Sequence, residues 1–187
     1  MATVERDITL NGTHVDLAYE YIDKSEWGDG PWQDERFDKI QWVDEATGLD
    51  CLLVRNHWSG HLCGYVGVPE GHPLFGLDYD TANDHAEPDE DGYRAFLVHG
   101  GLTFAGPCQE GGEEGGICHI PAPGRPDRIH WFGFDAIHAW DIGPATEALL
   151  LTELRHHRRS DPETVYRTAE YMQDQCAQLA AQIKAVT

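Results

Sequence analysis

The chain reads as an α+β protein, a mainly antiparallel sheet with two C-terminal helices packed on it. Three features of the sequence predict this. An Asn11-Gly12 turn followed by strict alternation opens the chain, short β-type runs cut by Gly and Pro fill residues 39–134, and helical patterns arrive only after residue 144. Strands first and helices last is the order of segregated layers rather than of alternating βαβ units.

Asn11-Gly12 is a two-residue hairpin turn, because both residue types tolerate positive φ. After it, Val15, Leu17, Tyr19 and Tyr21 alternate with Asp16, Ala18 and Glu20, the period of a half-buried strand. Residues 1–24 thus form a hairpin, taken as an appendage to the main body. Residues 23–38 read as a loop punctuated by Gly28, Gly30 and Pro31 and pinned by Trp27 and Trp32. Strands are expected at Lys39–Val43, Leu49–Arg55, His61–Val68, Arg94–Phe104 and Ile129–Phe134. Between them lie a long acidic loop, 69–92, and a Gly/Pro-rich connection, 105–126. A first helix is expected over 145–157. A second is announced by a Ser160/Glu163 capping box with Pro162 in the first turn. Its stripe is Val165, Ala169, Met172, Cys176, Leu179, Ile183 and Val186. That spacing gives one apolar face, to be laid across the sheet. The whole 1–187 is read as a single domain, with 39–134 its β-rich region and 145–187 its helical end.

At 187 residues the chain is long enough to bury a core without metal or disulfide support. Thirty-three acids against thirteen Lys and Arg give a formal charge of −20. Direct binding to nucleic acid needs a surplus of cations and is not expected. No run has the length of a membrane span, and the start, MATVERDITLNG, has no signal-peptide pattern. A cytoplasmic protein with no membrane partner is expected. Five Cys, an odd number without a Cys-x-x-Cys pair, read as reduced thiols.

The chemistry-bearing residue types crowd into three segments: 55–76, 98–104 and 131–141. They mix His, Asp, aromatics and Gly, a composition suited to a pocket with close backbone approach. The strings GYVGVPEGHPLFG (64–76), VHGGLTFAG (98–106), CHIPAPG (118–124) and WFGFDAIHAWD (131–141) carry a resemblance. So, more loosely, does YRTAEYMQDQCAQLAAQI (166–183). Through them the chain resembles, from about Leu49 to its end, a family of proteins of bacteriophages, prophages and actinobacteria to which no activity is attached. The resemblance implies a phage-type protein acting in the bacterial host cytoplasm. Family members have Cys-Ala-His where this chain has Ala136-Ile137-His138, which argues against a thiol role there.

Asp135-x-x-His138-x-x-Asp141 is the strongest local cluster, and His99 or His119 could complete a three-ligand metal site. The same residues suit metal-free acid–base work, or a His held in one tautomer by its carboxylate. His57-x-x-x-His61 lacks the Glu of a zinc protease. No phosphate-cradling Gly-Lys-Ser/Thr loop and no Gly-x-Ser-x-Gly elbow occurs, and the Asp78-x-Asp80 stretch fails the calcium-loop pattern because its third ligand position is Ala82 and its sixth position is not Gly.

Three functional readings follow. In the first, the chain binds a small molecule, a nucleotide immune signal being the sharpest case, and sequesters it against host defence. Arg55 faces a phosphate, Tyr65 and Trp131 stack a base, and His99, Gly100, Thr103, Asp135 and His138 orient the ligand. This reading needs no cofactor. In the second, His99, Asp135 and His138 make a hydrolase, metal-free or with a divalent metal. In the third, the acidic surface is a decoy imitating nucleic acid. Self-association through the apolar helix stripe is a further partner option.

Overall fold

The computed structural model describes residues 2–109, 114–153 and 164–186. Seven strands form one sheet: β1 (Thr3–Leu10), β2 (Thr13–Glu20), β3 (Lys39–Val43), β4 (Asp50–Arg55), β5 (Leu62–Pro69), β6 (Phe104–Pro107) and β7 (Ile129–Asp135). Their order is β1-β2-β3-β4-β5-β7-β6, and every pairing is antiparallel. The helices are α1 (Tyr79–Asn83), α2 (Pro144–Glu153) and α3 (Ala169–Ala185). The fold is α+β, as the order of patterns predicts, and among the described residues no helix is long and apolar enough to cross a membrane.

The hairpin is no appendage. Asn11 and Gly12 take the positive φ values the turn requires, and β2 then pairs with β3, so the hairpin continues the main sheet. Val15 and Ala18 enter the main core. Asn11 Nδ2 also donates to Gln173 Oε1 of α3 at 2.8 Å.

One face of the sheet carries Ile40, Trp42, Cys51, Leu53, Val66, Val68, Phe132 and Phe134, and α3 covers it with Met172, Cys176, Leu179, Ala180 and Ile183. The stripe is therefore spent on the sheet, through the residues 3–4 apart that share a helix face. It starts later than its sequence pattern, however. Thr168 caps the helix by accepting from the Tyr171 amide, while Val165, half exposed, forms a parallel bridge to Asp141. The Ser160/Glu163 capping box with Pro162, and the end of the expected first helix at 154–157, lie outside the described residues.

The opposite face holds Leu52, Val54, Tyr65, Ile129 and Trp131, packed under Phe104, Cys108 and Ile117. Three glycines make room for large aromatics across the strands. A Cβ on Gly64 would lie 2.5 Å from the Phe134 ring and one on Gly67 2.8 Å from the Trp131 ring, and one on Gly133 would run into the Tyr65 ring. Each glycine is the register partner of that aromatic. These glycines seat rings between strands; they do not open the backbone to a ligand.

Two elements differ from expectation. Residues 94–103 are not a strand. Their backbone is held instead by glutamine side chains of α3: the Leu97 amide donates to Gln182 Oε1, Gln182 Nε2 donates to the Leu97 carbonyl, and the His99 amide donates to Gln175 Oε1, all at 2.8 Å. The strand comes just after, as β6, inside the expected connection. The acidic loop contains α1, because Asp78 caps it by accepting from the Thr81 amide at 2.8 Å.

Candidate functional site

Four chain segments converge at one corner of the sheet: the end of β7, the turn 136–141, the α3-bound stretch 97–103, and the residues leading into α3. The centre is Asp141, whose side chain is 1% exposed. Its Oδ2 accepts from His99 Nε2 at 2.7 Å and from the His138 amide at 3.0 Å, and its Oδ1 accepts from Arg167 Nε at 2.9 Å. Burial pushes the Asp141 carboxyl up, but hydrogen bonds from His99, Arg167 and the His138 amide outweigh it and hold the group below its ordinary value.

The His99 tautomer follows from its partners. An ionised carboxylate only accepts, so Nε2 carries a proton toward Asp141, and Nδ1 is an acceptor whenever that is the ring's single proton. The Tyr171 hydroxyl lies 3.0 Å from Nδ1, placed to donate to it in that tautomer. The result is a relay from the Tyr171 hydroxyl through His99 to Asp141. The Arg167 guanidinium sits over the Tyr171 ring, 5.0 Å from its centre, where a positive charge favours developing phenolate.

Beside the relay, the His138 ring centre lies 5.6 Å from that of His99. His138 Nε2 is 3.5 Å from Asp135 Oδ1, and Asp135 Oδ2 accepts from Thr103 Oγ1 at 2.9 Å. Gly100, with φ of 67°, leaves the space that the His138 ring fills. It seats the imidazole rather than presenting an amide to a ligand. Trp140, 55% exposed, has φ of 76°, a conformation costly for a bulky residue. The Val165 amide donates to its carbonyl at 2.8 Å and fixes it there, next to Asp141.

The structure thus brings together His99, Gly100, Thr103, Asp135 and His138. It keeps Arg55, Tyr65 and Trp131 away from solvent. The Arg55 side chain is fully buried and saturated: it donates to Asp38 Oδ1, Glu35 Oε2, the Gly60 carbonyl and the Tyr166 hydroxyl at 2.7–3.1 Å. A phosphate would have to displace these carboxylates. A cavity of about 170 Å³ lies beside this network, lined by Glu35, Asp38 and Lys39 among others. Trp131 is 0% and Tyr65 7% exposed, each seated over a glycine, so neither ring offers a free stacking face.

Sequence reasoning missed Tyr171 and Arg167. Arg167 lies just before the Thr168 cap and Tyr171 in the first turn of α3, and the apolar stripe running through the same segment masks both.

His61, one strand over, links Ser59 and Cys63: Nδ1 lies 2.6 Å from Ser59 Oγ and Nε2 3.4 Å from Cys63 Sγ. Burial lowers the proton affinity of His61 despite the pull of the Asp135 and Asp141 carboxylates. Burial, with Asp135 near, pushes the Cys63 thiol up to about 12. This thiol is a proton donor rather than a thiolate nucleophile.

The expectation of five reduced thiols is corrected. Cys108 and Cys118 are joined by a disulfide, leaving Cys51, Cys63 and Cys176 free. Among the described residues, the group of three metal-ligating side chains whose ligand atoms lie within 4.8 Å of one another is Cys108, Cys118 and His119. The ligand set expected for a metal hydrolase, His99, Asp135 and His138, does not meet that criterion.

No protein-family model, no curated protein and no solved structure matches this chain.

Proposed function

We propose that the chain is a metal-free acid–base enzyme, of hydrolase class, acting on a small acyl or phosphoryl ester at the His99–His138 corner. The observation that supports this best is the chain of contacts from a buried carboxylate through an imidazole to a phenol hydroxyl. In this reading the Tyr171 oxygen attacks the acyl or phosphoryl centre as the ester's leaving oxygen departs, and water then hydrolyses the aryl ester so formed and frees the Tyr171 phenol. During the attack the phenol proton passes to His99 Nδ1, and the imidazolium so formed is stabilised by Asp141, whose own carboxyl is held ionised. Arg167 stabilises the phenolate face. His138, whose buried Nε2 lies 3.5 Å from Asp135 Oδ1 without a hydrogen bond, is the second proton-transfer group and protonates the leaving oxygen. The phage-type setting and the bacterial cytoplasm belong to the same proposal.

Ligand sequestration is the alternative at the same corner. It would have to use Arg167 and His138 in place of the buried Arg55, Tyr65 and Trp131. Incubation with nucleotides, phosphodiesters and carboxylic esters, followed by heat denaturation and mass analysis, separates the two. A new product that is lost in Tyr171→Phe supports the enzyme. Intact ligand released stoichiometrically from both proteins overturns it in favour of sequestration.

A further inference from the structure

The second face of the sheet is covered by the connection after β6, and that cover is clamped at several points. Gln41 exchanges two 2.8 Å hydrogen bonds with the backbone of Ile120. Arg125 pairs with Asp50 at 2.9 Å. Within this cover Cys108, Cys118 and His119 gather their ligand atoms inside 4.8 Å.

His119 supplies the independent observation. It is 5% exposed. Its Nε2 lies 3.0 Å from the Pro126 carbonyl, which only accepts, so Nε2 carries the proton. Nδ1 is then left with a lone pair, and this buried atom has no hydrogen-bond partner. A ring nitrogen fixed by donation to a backbone carbonyl, with the other nitrogen bare, is the arrangement of a metal-ligating histidine. The Trp131 ring packs edge-on to His119 at 5.6 Å, and its Nε1 is also without a partner.

We propose that Cys108, Cys118 and His119 form a zinc site when the disulfide is open. Opening it takes two electrons and two protons and yields two thiols: a dithiol supplies both and becomes a disulfide, whereas a phosphine supplies the electrons and becomes its oxide, with water giving the oxygen and the protons. Zinc(II) then replaces both thiol protons, which pass to solvent, and His119 adds its Nδ1 lone pair. Two thiolates neutralise the ion, which suits a half-buried location. Three protein ligands leave the fourth tetrahedral position to solvent. Cys108 and Cys118, ten positions apart in sequence, are thus joined either by a disulfide or by metal, according to the redox state. This site is separate from the Tyr171 relay and does not depend on the reading given for it.

The test is cobalt(II) titration of phosphine-reduced, metal-stripped protein, followed by zinc. One equivalent should produce the intense visible absorption of tetrahedral cobalt–thiolate, and zinc should displace it. The unreduced protein should give no such absorption. The His119→Ala protein should need at least about ten times more metal for half-saturation. Because the variant could disturb the cover, alkylation of the reduced wild type gives a second readout: zinc should protect Cys108 and Cys118 from a small alkylating agent. No cobalt–thiolate absorption in the reduced protein, or zinc protection of other cysteines instead, would overturn the proposal.

Discussion

His99 Nε2 lies 2.7 Å from Asp141 Oδ2 although 42 residues separate them. The contact exists because two different elements are brought to one corner. Gln175 of α3 holds the His99 backbone, and the turn after β7 delivers Asp141. The depressed Asp141 carboxyl follows from that meeting.

The pH dependence has a defined sign. A carboxyl whose folded value lies below its unfolded value contributes stability that is full above the unfolded value, near pH 4, and is lost as pH falls through the folded value. Replacing Asp141 by Asn removes this contribution. The stability difference between wild type and Asp141→Asn should therefore shrink on acidification below about pH 4. Denaturant midpoints at a series of pH values measure it, and a constant difference contradicts the carboxylate's role.

The helix stripe gives a packing prediction. Leu179 is 0% exposed against the sheet. Leu179→Asp leaves an uncompensated charge there and should cost about 3–5 kcal/mol. A loss below about 1 kcal/mol in chemical denaturation contradicts the docking of α3.

The glycine seats give another. Gly133→Ala would drive a methyl into the Tyr65 ring, and overpacking of this kind should cost about 1–3 kcal/mol. An unchanged unfolding midpoint would mean that the ring moves freely, against its place in a packed layer.

Thiol counting tests the covalent structure. Unfolded without reductant, the chain should show three reactive thiols, those of Cys51, Cys63 and Cys176. In the folded protein all three should react slowly, since burial raises each thiol. Five thiols on unfolding would contradict the Cys108–Cys118 bond.

Much of the fold was legible because it rests on local patterns. The Asn11-Gly12 turn, the alternation of β2 and the apolar face of α3 each announce themselves within a few residues. The stretch 94–103 was not legible as coil. It has strand-like composition, and its partners are glutamines eighty residues on, a pairing that no local period encodes. At the site, the Asp135–His138–Asp141 cluster is local and was readable, with His99 named as a residue that could complete it. Tyr171 was hidden because one segment serves both the core and the corner. The glycines misled in a specific way. Gly64, Gly67 and Gly133 look like ligand-approach positions, but a glycine opposite a large aromatic in an antiparallel register fills the same role with no ligand at all. Arg55 misled likewise. An arginine in a strongly acidic chain suggests a phosphate site, whereas here acidic Glu35 and Asp38 consume it.

The relay is tested most directly by the reactivity of Tyr171 toward an aryl sulfonyl fluoride, mapped by peptide mass analysis. Tyr79 and Tyr93, exposed tyrosines of the same chain, serve as internal standards. A phenol that donates to His99 Nδ1 should be sulfonylated faster than both, and His99→Ala should bring its rate down to theirs. Tyr171 reacting no faster than Tyr79 and Tyr93, or keeping its rate in His99→Ala, would contradict the relay.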